Sequence, residues 1–382
     1  MQFHHLLLPL ALLAMSAPTA SADPVPSPRN PAGFAIQRGT NISHWLSQDF
    51  GWAPREKWFT EKDVRFIAKQ GFDHIRLPVD EKELWTKEGR PIEGEFQRLV
   101  TAIEWCRKAG LRVIVDLHTL NSHHFNAANE GLKITLWTDA KEQEHLLSLW
   151  RDLSARLRHF PVDLVAYEIL NEPVADDPED WNKLVAKCYA LLRTLEPNRV
   201  LVFGANRWQM PENVPFLKVP AGDKNIILSF HTYAPLLFTH YKADWVPTKV
   251  YTGPVNYPGP IVDAATFAQL TANYDESLKN QIGNAAADWG PARLRQECEP
   301  AIRRAKELGL QLYCGEFGCL PTVPRAARLA YYRDLVGLFR AEGVAYANWE
   351  YKGDFGIYEW LGLPALCGKP DKELIKILAP KQ

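Results

Sequence analysis

Residues 164–173, with the sequence LVAYEILNEP, contain the pattern that decides the fold. A short, mostly apolar run, typical of a buried strand, ends in the polar tripeptide Asn-Glu-Pro at 171–173. Residues 311–316, QLYCGE, repeat this arrangement and end at Glu316. Because parallel strands bring their carboxyl ends to one edge of a sheet, we expect both glutamates on the same face of the protein.

Outward from these two segments, short apolar runs alternate with longer amphipathic stretches. Alternation of this kind predicts a parallel sheet, because parallel strands require crossover connections. Eight strands predict an α/β fold of the (β/α)8 TIM barrel type in a single domain, with an open doubly wound sheet as the alternative. The eight strand candidates are residues 35–41, 74–78, 112–118, 164–170, 200–203, 226–231, 311–316 and 345–349.

The intervening helices have recognisable ends. Thr60 at an N-cap, Asp63 three residues later and Gly71 after the last turn predict one helix. An apolar stripe at helical spacing in residues 96–106, followed by Gly110, predicts another. Further helices are predicted at residues 139–159, 180–195, 294–308 and 325–342.

The amino terminus has the pattern of a secretory signal peptide. Residues 6–14 are apolar but too few to span a bilayer, and small residues at 20–22 offer a cleavage site. We therefore predict a signal peptide at 1–22, a Pro-rich lead-in at 23–33 and the catalytic barrel at 34–382. The expected location is secreted or periplasmic, with no membrane segment in the mature chain.

The charge distribution argues against a nucleic-acid partner. The chain has 44 basic and 45 acidic residues, a net charge of -1, and no basic stripe or tail. Its six cysteines form no C-x-x-C pair, and export would permit disulfides such as Cys314–Cys319 or Cys298–Cys367 without deciding between them. An aromatic content of 11%, with 13 Trp, suits sugar faces as well as cores.

Polar residues end six of the predicted strands. Two of them, Glu172 and Glu316, are carboxylates on different strands, the requirement for hydrolysing a glycosidic bond. Asp116 and Glu168 precede the strand ends, and we expect them to be buried partners of Arg76. The remaining candidates on these strand ends are His118, Asn171, His231, Tyr233 and Trp349.

This ordered set, spread over residues 38–358, resembles glycoside hydrolase family 5, the cellulase family of clan A. The resemblance implies that Glu172 is the general acid/base and Glu316 the nucleophile of a retaining mechanism, with carboxyl groups about 5–5.5 Å apart. It also implies that Arg76 keeps the nucleophile ionised, Tyr233 bonds to it, and Asn171 binds the sugar 2-hydroxyl. His118 and His231 would flank the site, and Trp349 would lie under the sugar.

The matched residues support glycosidase chemistry and do not decide the linkage. The leading hypothesis is an endo-β-1,4-glucanase that acts on β-glucan or a related polysaccharide, and we expect it to act as a monomer, without a metal or other cofactor. A β-mannanase, an exo-β-1,3-glucanase and a β-glucosidase are alternatives, since substrate preference depends on loops. A catalytically inactive carbohydrate-binding protein is an alternative of another class. A metal-dependent hydrolase that uses His118, His123 and His124 is a third, although their spacing matches no ligand motif.

The segment 234–288 after the sixth strand is long and rich in Pro, Gly, Tyr and Asn. Loops of this length are often functional, and this one follows a strand end on the catalytic face. We expect it to form a wall of the substrate cleft that carries Tyr241, Trp245, Tyr251 and Tyr257.

Overall fold

The computed structural model describes residues 28–128, 132–361 and 367–380. The predicted signal peptide at 1–22 lies outside the described residues, as does the first half of the lead-in. Within the described residues, no helix combines the length and the apolar character needed to cross a membrane.

Eight parallel strands form a closed barrel, which confirms the predicted fold. Each strand pairs with its neighbours in the sequence, and the eighth closes the barrel on the first. The fourth ends at Glu168, before the predicted end at residue 170, because the chain leaves the ladder there to form the Asn171–Glu172 turn. The strands are β1 (Arg38–Asn41), β2 (His74–Asp80), β3 (Arg112–Thr119), β4 (Val165–Glu168), β5 (Val200–Gly204), β6 (Ile226–Thr232), β7 (Gln311–Phe317) and β8 (Ala345–Asn348).

The local signals for helix ends hold. Thr60 and Asp63 form a reciprocal capping box, and Gly71 and Gly110 end their helices in the left-handed conformation. Asp139 caps the helix after β3 through its side chain. The helices are Arg55–Trp58, Glu61–Gln70, Glu81–Leu84, Glu93–Ala109, Ala140–Leu157, Pro178–Leu195, Leu236–Thr239, Ala264–Thr271, Glu276–Ile282, Pro291–Leu308, Arg325–Glu342 and Lys372–Leu378.

Shorter elements complete the chain. A 3-10 helix, Pro211–Phe216, takes the place of an α-helix between β5 and β6 and packs against the helix Pro291–Leu308. Pro215, inside this 3-10 helix, has no backbone N–H to donate and so disfavours an α-helix. Further 3-10 helices are Phe125–Ala128, Thr135–Trp137 and Pro247–Val250, and two small antiparallel sheets pair Gly259–Pro260 with Asp288–Trp289 and Tyr358–Trp360 with Cys367–Pro370.

The barrel interior is stratified from apolar to polar. Alternate residues of each strand face inward, so Ile114, Asp116 and His118 of β3 follow one another up the barrel axis. The level of Ile114 is apolar, whereas the next level brings Asp116 beside Glu168 of β4. The apolar floor comprises Phe34, Ile36, Ile114, Ala166, Val200, Val202, Ile227, Tyr313, Ala345 and Ala347. The polar functional groups therefore rest on a packed base.

Arg199 lies at the opposite, amino-terminal end of the strands, one residue before β5. Its guanidinium, 1% exposed, forms an ion pair of 2.7 Å with Glu196. It also donates to the carbonyl oxygens of Phe160, Pro161 and Val165 at 2.9–3.0 Å. One side chain thus satisfies three backbone carbonyls and a buried carboxylate. Because these contacts lie far from the carboxyl ends of the strands, their role is in stability.

We predict that Arg199→Leu lowers the free energy of unfolding by about 3–5 kcal/mol, because it leaves the Glu196 carboxylate buried without its partner. Urea unfolding followed by circular dichroism measures this loss. Arg151→Leu is the matched control, since Arg151 pairs with Glu144 at the surface, where such pairs contribute about 0–1 kcal/mol. Equal losses in the two variants would contradict a structural role for Arg199.

Candidate active site

Arg76 of β2 is the centre of the polar level. Its side chain is fully buried, and it contacts three carboxylates. The guanidinium lies 2.7 Å from Glu168, 3.0 Å from Asp116 and 2.7 Å from Glu316. The prediction that Asp116 and Glu168 are buried partners of Arg76 is confirmed.

Burial and charge act against each other in this cluster. Burial alone would lower the pKa of Arg76, but the charges of Asp116, Glu168 and Glu316 raise it well above its usual value. Burial raises the pKa of Asp116 to about 7 although Arg76 opposes the shift, and burial also raises the pKa of Glu168. A permanently charged guanidinium is therefore surrounded by more carboxyl groups than it can neutralise.

Two amides complete the coordination of Arg76. Its two terminal nitrogens donate to the side-chain oxygens of Asn171 and Asn41, at 2.8 and 3.1 Å. Asn41, at the end of β1, in turn donates to the carbonyl oxygens of Gly315 and Asn348. Asn41 was not among the predicted site residues, although it ends a predicted strand like the others.

Glu172 and Glu316 face each other across the top of the barrel, with His231 between them. One carboxylate oxygen of each, together with a ring nitrogen of His231, lies within a 4.8 Å group. His231 Nδ1 is 2.8 Å from Glu172 and 3.8 Å from Glu316. Tyr233 donates its hydroxyl hydrogen to Glu316 at 3.0 Å.

The two glutamates have different surroundings. Burial raises the pKa of Glu172 well above its ordinary value, and the charge of Glu316 raises it further. Burial also raises the pKa of Glu316, but there the charge of Arg76 and the hydrogen bond from Tyr233 act in the opposite direction. Glu172 is therefore the member of the pair that retains a proton, and Glu316 is the member held as a carboxylate.

His118 and Trp349 form the side wall of the site. Their rings stack with centroids 5.6 Å apart and an interplanar angle of 10°. His118 Nδ1 is 2.7 Å from Asp116, and burial lowers the pKa of His118 to about 4, so the ring is neutral at neutral pH. Because Nδ1 donates to the Asp116 carboxylate, Nε2 is left as an acceptor.

Several buried polar atoms around the two glutamates have no hydrogen-bond partner among the residues that the structure describes: Nε2 of His118, Nε2 of His231 and the amide nitrogen of Asn171. Unsatisfied buried polar atoms are costly unless a ligand or water supplies the missing partner. Their concentration here marks the place where a hydroxyl-rich ligand would bind.

A cavity of about 1050 Å³ opens above these residues. Seven of the eight predicted site residues line it, and Arg76 lies directly beneath. The seven are His118, Asn171, Glu172, His231, Tyr233, Glu316 and Trp349. The structure therefore brings together all eight residues that were predicted at the strand ends.

The segment 234–288 forms part of the cavity wall, but the prediction of its aromatic residues was wrong for three of four. Trp245 lines the cavity and is 56% exposed. The hydroxyls of Tyr241, Tyr251 and Tyr257 instead bond within the protein, to the carbonyl oxygens of Gly253 and Pro254 and to a carboxylate of the helix Arg325–Glu342. These tyrosines hold the segment together, and they do not line the cavity.

The alternative metal site finds no geometric support. Within residues 28–128, 132–361 and 367–380, His118, His123 and His124 do not come together as a ligand cluster. His123 is buried, and burial lowers its pKa to about 3. It packs edge-on against Trp137.

Gln209 is a functional residue that the sequence analysis missed. Its side-chain oxygen accepts the backbone N–H of Glu172 at 2.9 Å, and its amide nitrogen donates to Glu168 at 3.2 Å and Ser229 at 3.0 Å. The side chain is fully buried, and a Cβ atom at Gly204 would come within 2.5 Å of it. Only glycine at 204 leaves room for this amide.

The backbone at Gln209 and at the two residues before it is strained. Arg207, Trp208 and Gln209 all have positive φ, at 53°, 56° and 54°, and Glu172 has φ of 43°. Each such non-glycine residue costs about 1–2 kcal/mol. The left-handed turn at residues 207–209 contains no glycine, so the sequence does not indicate it. Gly204 is the nearby residue whose identity reflects the position of Gln209.

A closed parallel barrel with two opposed glutamates at the carboxyl ends of β4 and β7 defines the class of barrel hydrolases that cleave glycosidic bonds. The family model described as Cellulase (glycosyl hydrolase family 5) matches residues 30–354. The chain therefore belongs to glycosyl hydrolase family 5, which confirms the predicted resemblance.

Relatives of known name agree over most of the chain. Endoglucanase C of Acetivibrio thermocellus is 30% identical over 354 residues, which cover 91% of this chain and 99% of the relative. Cellodextrinase A of Ruminococcus flavefaciens is 28% identical over 314 residues, 81% of this chain and 84% of the relative. A solved endoglucanase structure superposes with a TM-score of 0.71 at 23% identity, covering 92% of this chain and 99% of the other. The structure of Thermotoga maritima Cel5A in complex with mannotriose superposes with a TM-score of 0.68 at 22% identity. The superposition covers 91% of this chain and 98% of the other.

We predict that Gln209→Leu lowers kcat/KM at least about tenfold, since it leaves the buried Glu172 N–H without an acceptor and removes one of the donors to the Glu168 carboxylate. Steady-state kinetics with a soluble β-glucan, beside circular dichroism to establish folding, measure the effect. Gln97→Leu makes the same chemical change on the exposed face of a helix and should leave kcat/KM unaltered. Full activity in Gln209→Leu would rule out the positioning role.

Proposed function

We propose that this chain is a retaining endo-β-1,4-glucanase in which Glu172 is the acid/base and Glu316 the nucleophile. The observation that carries the proposal is the pair of carboxylates with oxygens inside a 4.8 Å group but with unlike partners. Retaining enzymes hold their carboxyl groups about 5–5.5 Å apart, whereas inverting enzymes need about 6.5–9.5 Å for a water molecule.

In the first step, the ionised Glu316 attacks the anomeric carbon, and the bond to the leaving oxygen breaks. Glu172 transfers its proton to that oxygen, so a glycosyl ester of Glu316 forms and the leaving sugar departs as an alcohol. Arg76 and Tyr233 hold the attacking carboxylate in place through the contacts of 2.7 and 3.0 Å.

In the second step, Glu172 removes a proton from water, whose oxygen attacks the anomeric carbon; the bond from that carbon to Glu316 breaks, and Glu316 leaves as a carboxylate. The change of role follows from the electrostatics of the pair. Formation of the ester removes the negative charge of Glu316, which had raised the pKa of Glu172. The pKa of Glu172 then falls, so the same group that was an acid becomes a usable base.

Sugar binding follows from the partnerless polar atoms. Nε2 of His118 accepts a hydroxyl hydrogen, the Asn171 amide donates to the 2-hydroxyl oxygen, and the Trp349 ring supports the apolar face of the sugar. A protein that only bound carbohydrate would not need the opposed carboxylates, which disfavours the inactive alternative.

The linkage assignment is supported by the names Endoglucanase C and Cellodextrinase A. The β-mannanase alternative is favoured by one observation, the mannotriose complex of a protein with the same fold. An exo-β-1,3-glucanase is favoured by the Glucan 1,3-beta-glucosidase of Blumeria graminis, 29% identical over 180 residues. None of the relatives and solved structures described above favours the β-glucosidase alternative. We further propose that residues 1–22 direct export and that the mature enzyme acts as a secreted or periplasmic monomer.

For Glu172→Ala, we expect kcat/KM to fall about 10²–10⁴-fold on oligosaccharides, whose leaving groups need protonation, and much less on dinitrophenyl glycosides. The comparison of kcat/KM between the two substrate types measures the effect. Glu212→Ala is the matched control, because Glu212 lines the same cavity away from the pair. A uniform loss across leaving groups would remove Glu172 from the acid role.

The nucleophile is tested by the reciprocal variant. Glu316→Ala should abolish turnover with every leaving group, since no covalent intermediate can form. Turnover at the wild-type rate would refute the assignment.

Substrate choice is tested with carboxymethylcellulose, mannan and laminarin, with products separated by chain length. We expect mixed oligosaccharides from the cellulose derivative, because an endo-acting enzyme cuts within the chain. Activity confined to mannan or laminarin would replace the linkage while the mechanism stands. Release of monosaccharide alone from the start would contradict endo action.

A further inference from the structure

A second cluster of ionisable side chains lies beside the active site and takes no part in the mechanism above. His44 belongs to the loop after β1, and Glu350 and Asp354 belong to the loop after β8. One ring nitrogen of His44 and one carboxylate oxygen of each acid lie within 4.8 Å of one another. His44 and Asp354 also line the cavity, so the cluster is reached from the cleft.

Glu350 is the unexplained member of this cluster. Its side chain is 0% exposed, and neither carboxylate oxygen accepts a hydrogen bond in the described part of the chain. Its one ion pair there is with Nε2 of His44, at 3.1 Å. A buried carboxylate without donors is costly, so a positively charged partner is required.

The tautomer of His44 strengthens the argument that Glu350 requires a positively charged partner. Nδ1 lies 2.9 Å from the carbonyl oxygen of Gln48, which can only accept, so Nδ1 carries a hydrogen. In a neutral ring, Nε2 then carries no hydrogen. Its lone pair faces the Glu350 carboxylate, so two hydrogen-bond acceptors oppose each other. Either a second proton or a metal ion must lie between them. A histidine whose other nitrogen donates to a backbone carbonyl is the usual arrangement of a metal ligand.

The loops that carry these ligands are shaped to hold them. His44 and Gln48 both have positive φ, at 56° and 49°, and strain of this kind concentrates at ligand clamps. A Cβ at Gly353 would come within 2.2 Å of the Glu350 carboxylate, so a glycine is needed to keep that space open.

We propose that His44, Glu350 and Asp354 bind one divalent transition-metal ion, Zn²⁺ or Mn²⁺, that joins the β1 and β8 loops of the cleft. Two carboxylates and one imidazole suit these ions, and water takes the remaining positions. Ligand atoms about 3.4 Å apart are expected around a tetrahedral ion with bonds of about 2.1 Å, close to the 3.1 Å between His44 and Glu350. A sugar hydroxyl is the less suitable ligand, because Glu350 has no surface in the cavity.

The proposal is tested by isothermal titration calorimetry of the chelator-treated, dialysed protein with zinc chloride and with manganese chloride. We expect one saturable equivalent for at least one metal, accompanied by a rise in Tm. Asp354→Asn and His44→Gln should each weaken binding at least about tenfold, the loss seen when even an outer-shell partner is removed. The titration needs no substrate, so its result is independent of the proposed glucanase activity.

Two control variants locate the ion. His159→Gln removes an exposed histidine away from the cluster and should leave the metal Kd unchanged. Glu172→Gln removes a ligand from the group of Glu172, His231 and Glu316, which could compete for the same ion. The proposal is overturned if neither metal binds the wild-type protein, if binding survives unchanged in both Asp354→Asn and His44→Gln, or if Glu172→Gln alone abolishes it.

Discussion

The buried guanidinium of Arg76 is the charge around which the catalytic face is built. Asp116, Glu168 and Glu316 converge on it from three other strands, at a level where all four side chains are buried. Removal of a single partner from such a cluster leaves charge uncompensated at a cost of about 3–5 kcal/mol. The barrel must therefore close with β2, β3, β4 and β7 in register before any of these carboxylates is tolerable.

The same arrangement gives the two glutamates different protonation states. Glu316 touches both Arg76 and Tyr233, whereas the hydrogen bond of Glu172 is to His231, whose pKa burial lowers well below its usual value. One carboxyl thus has a permanent cation and a hydroxyl donor, and the other has a neutral ring. Two chemically identical side chains acquire opposite protonation states through their neighbours alone.

Features set by local chemistry were predictable from the sequence. The eight strands, the capping box at Thr60 and the convergence of residues such as Arg76 and Glu316 follow from periodicity and from the rule that strand ends share one face. The three tyrosines of the segment 234–288 were misplaced because their orientation depends on distant partners. Tyr257, for example, bonds to Asp334, 77 positions further along the chain. Gln209 escaped notice because its turn uses left-handed residues that are not glycine.

Gln209 also joins two parts of the site that look separate. Hydrogen bonds lead from the backbone of Glu172 through Gln209 and Glu168 to Arg76, and from there to Glu316. The glutamates are thus connected through the solid interior as well as across the open cleft, and Gly204 must stay small for that connection to exist. A substitution at one of these links therefore disturbs the support of both glutamates, even where the substituted residue touches neither of the two carboxyl groups.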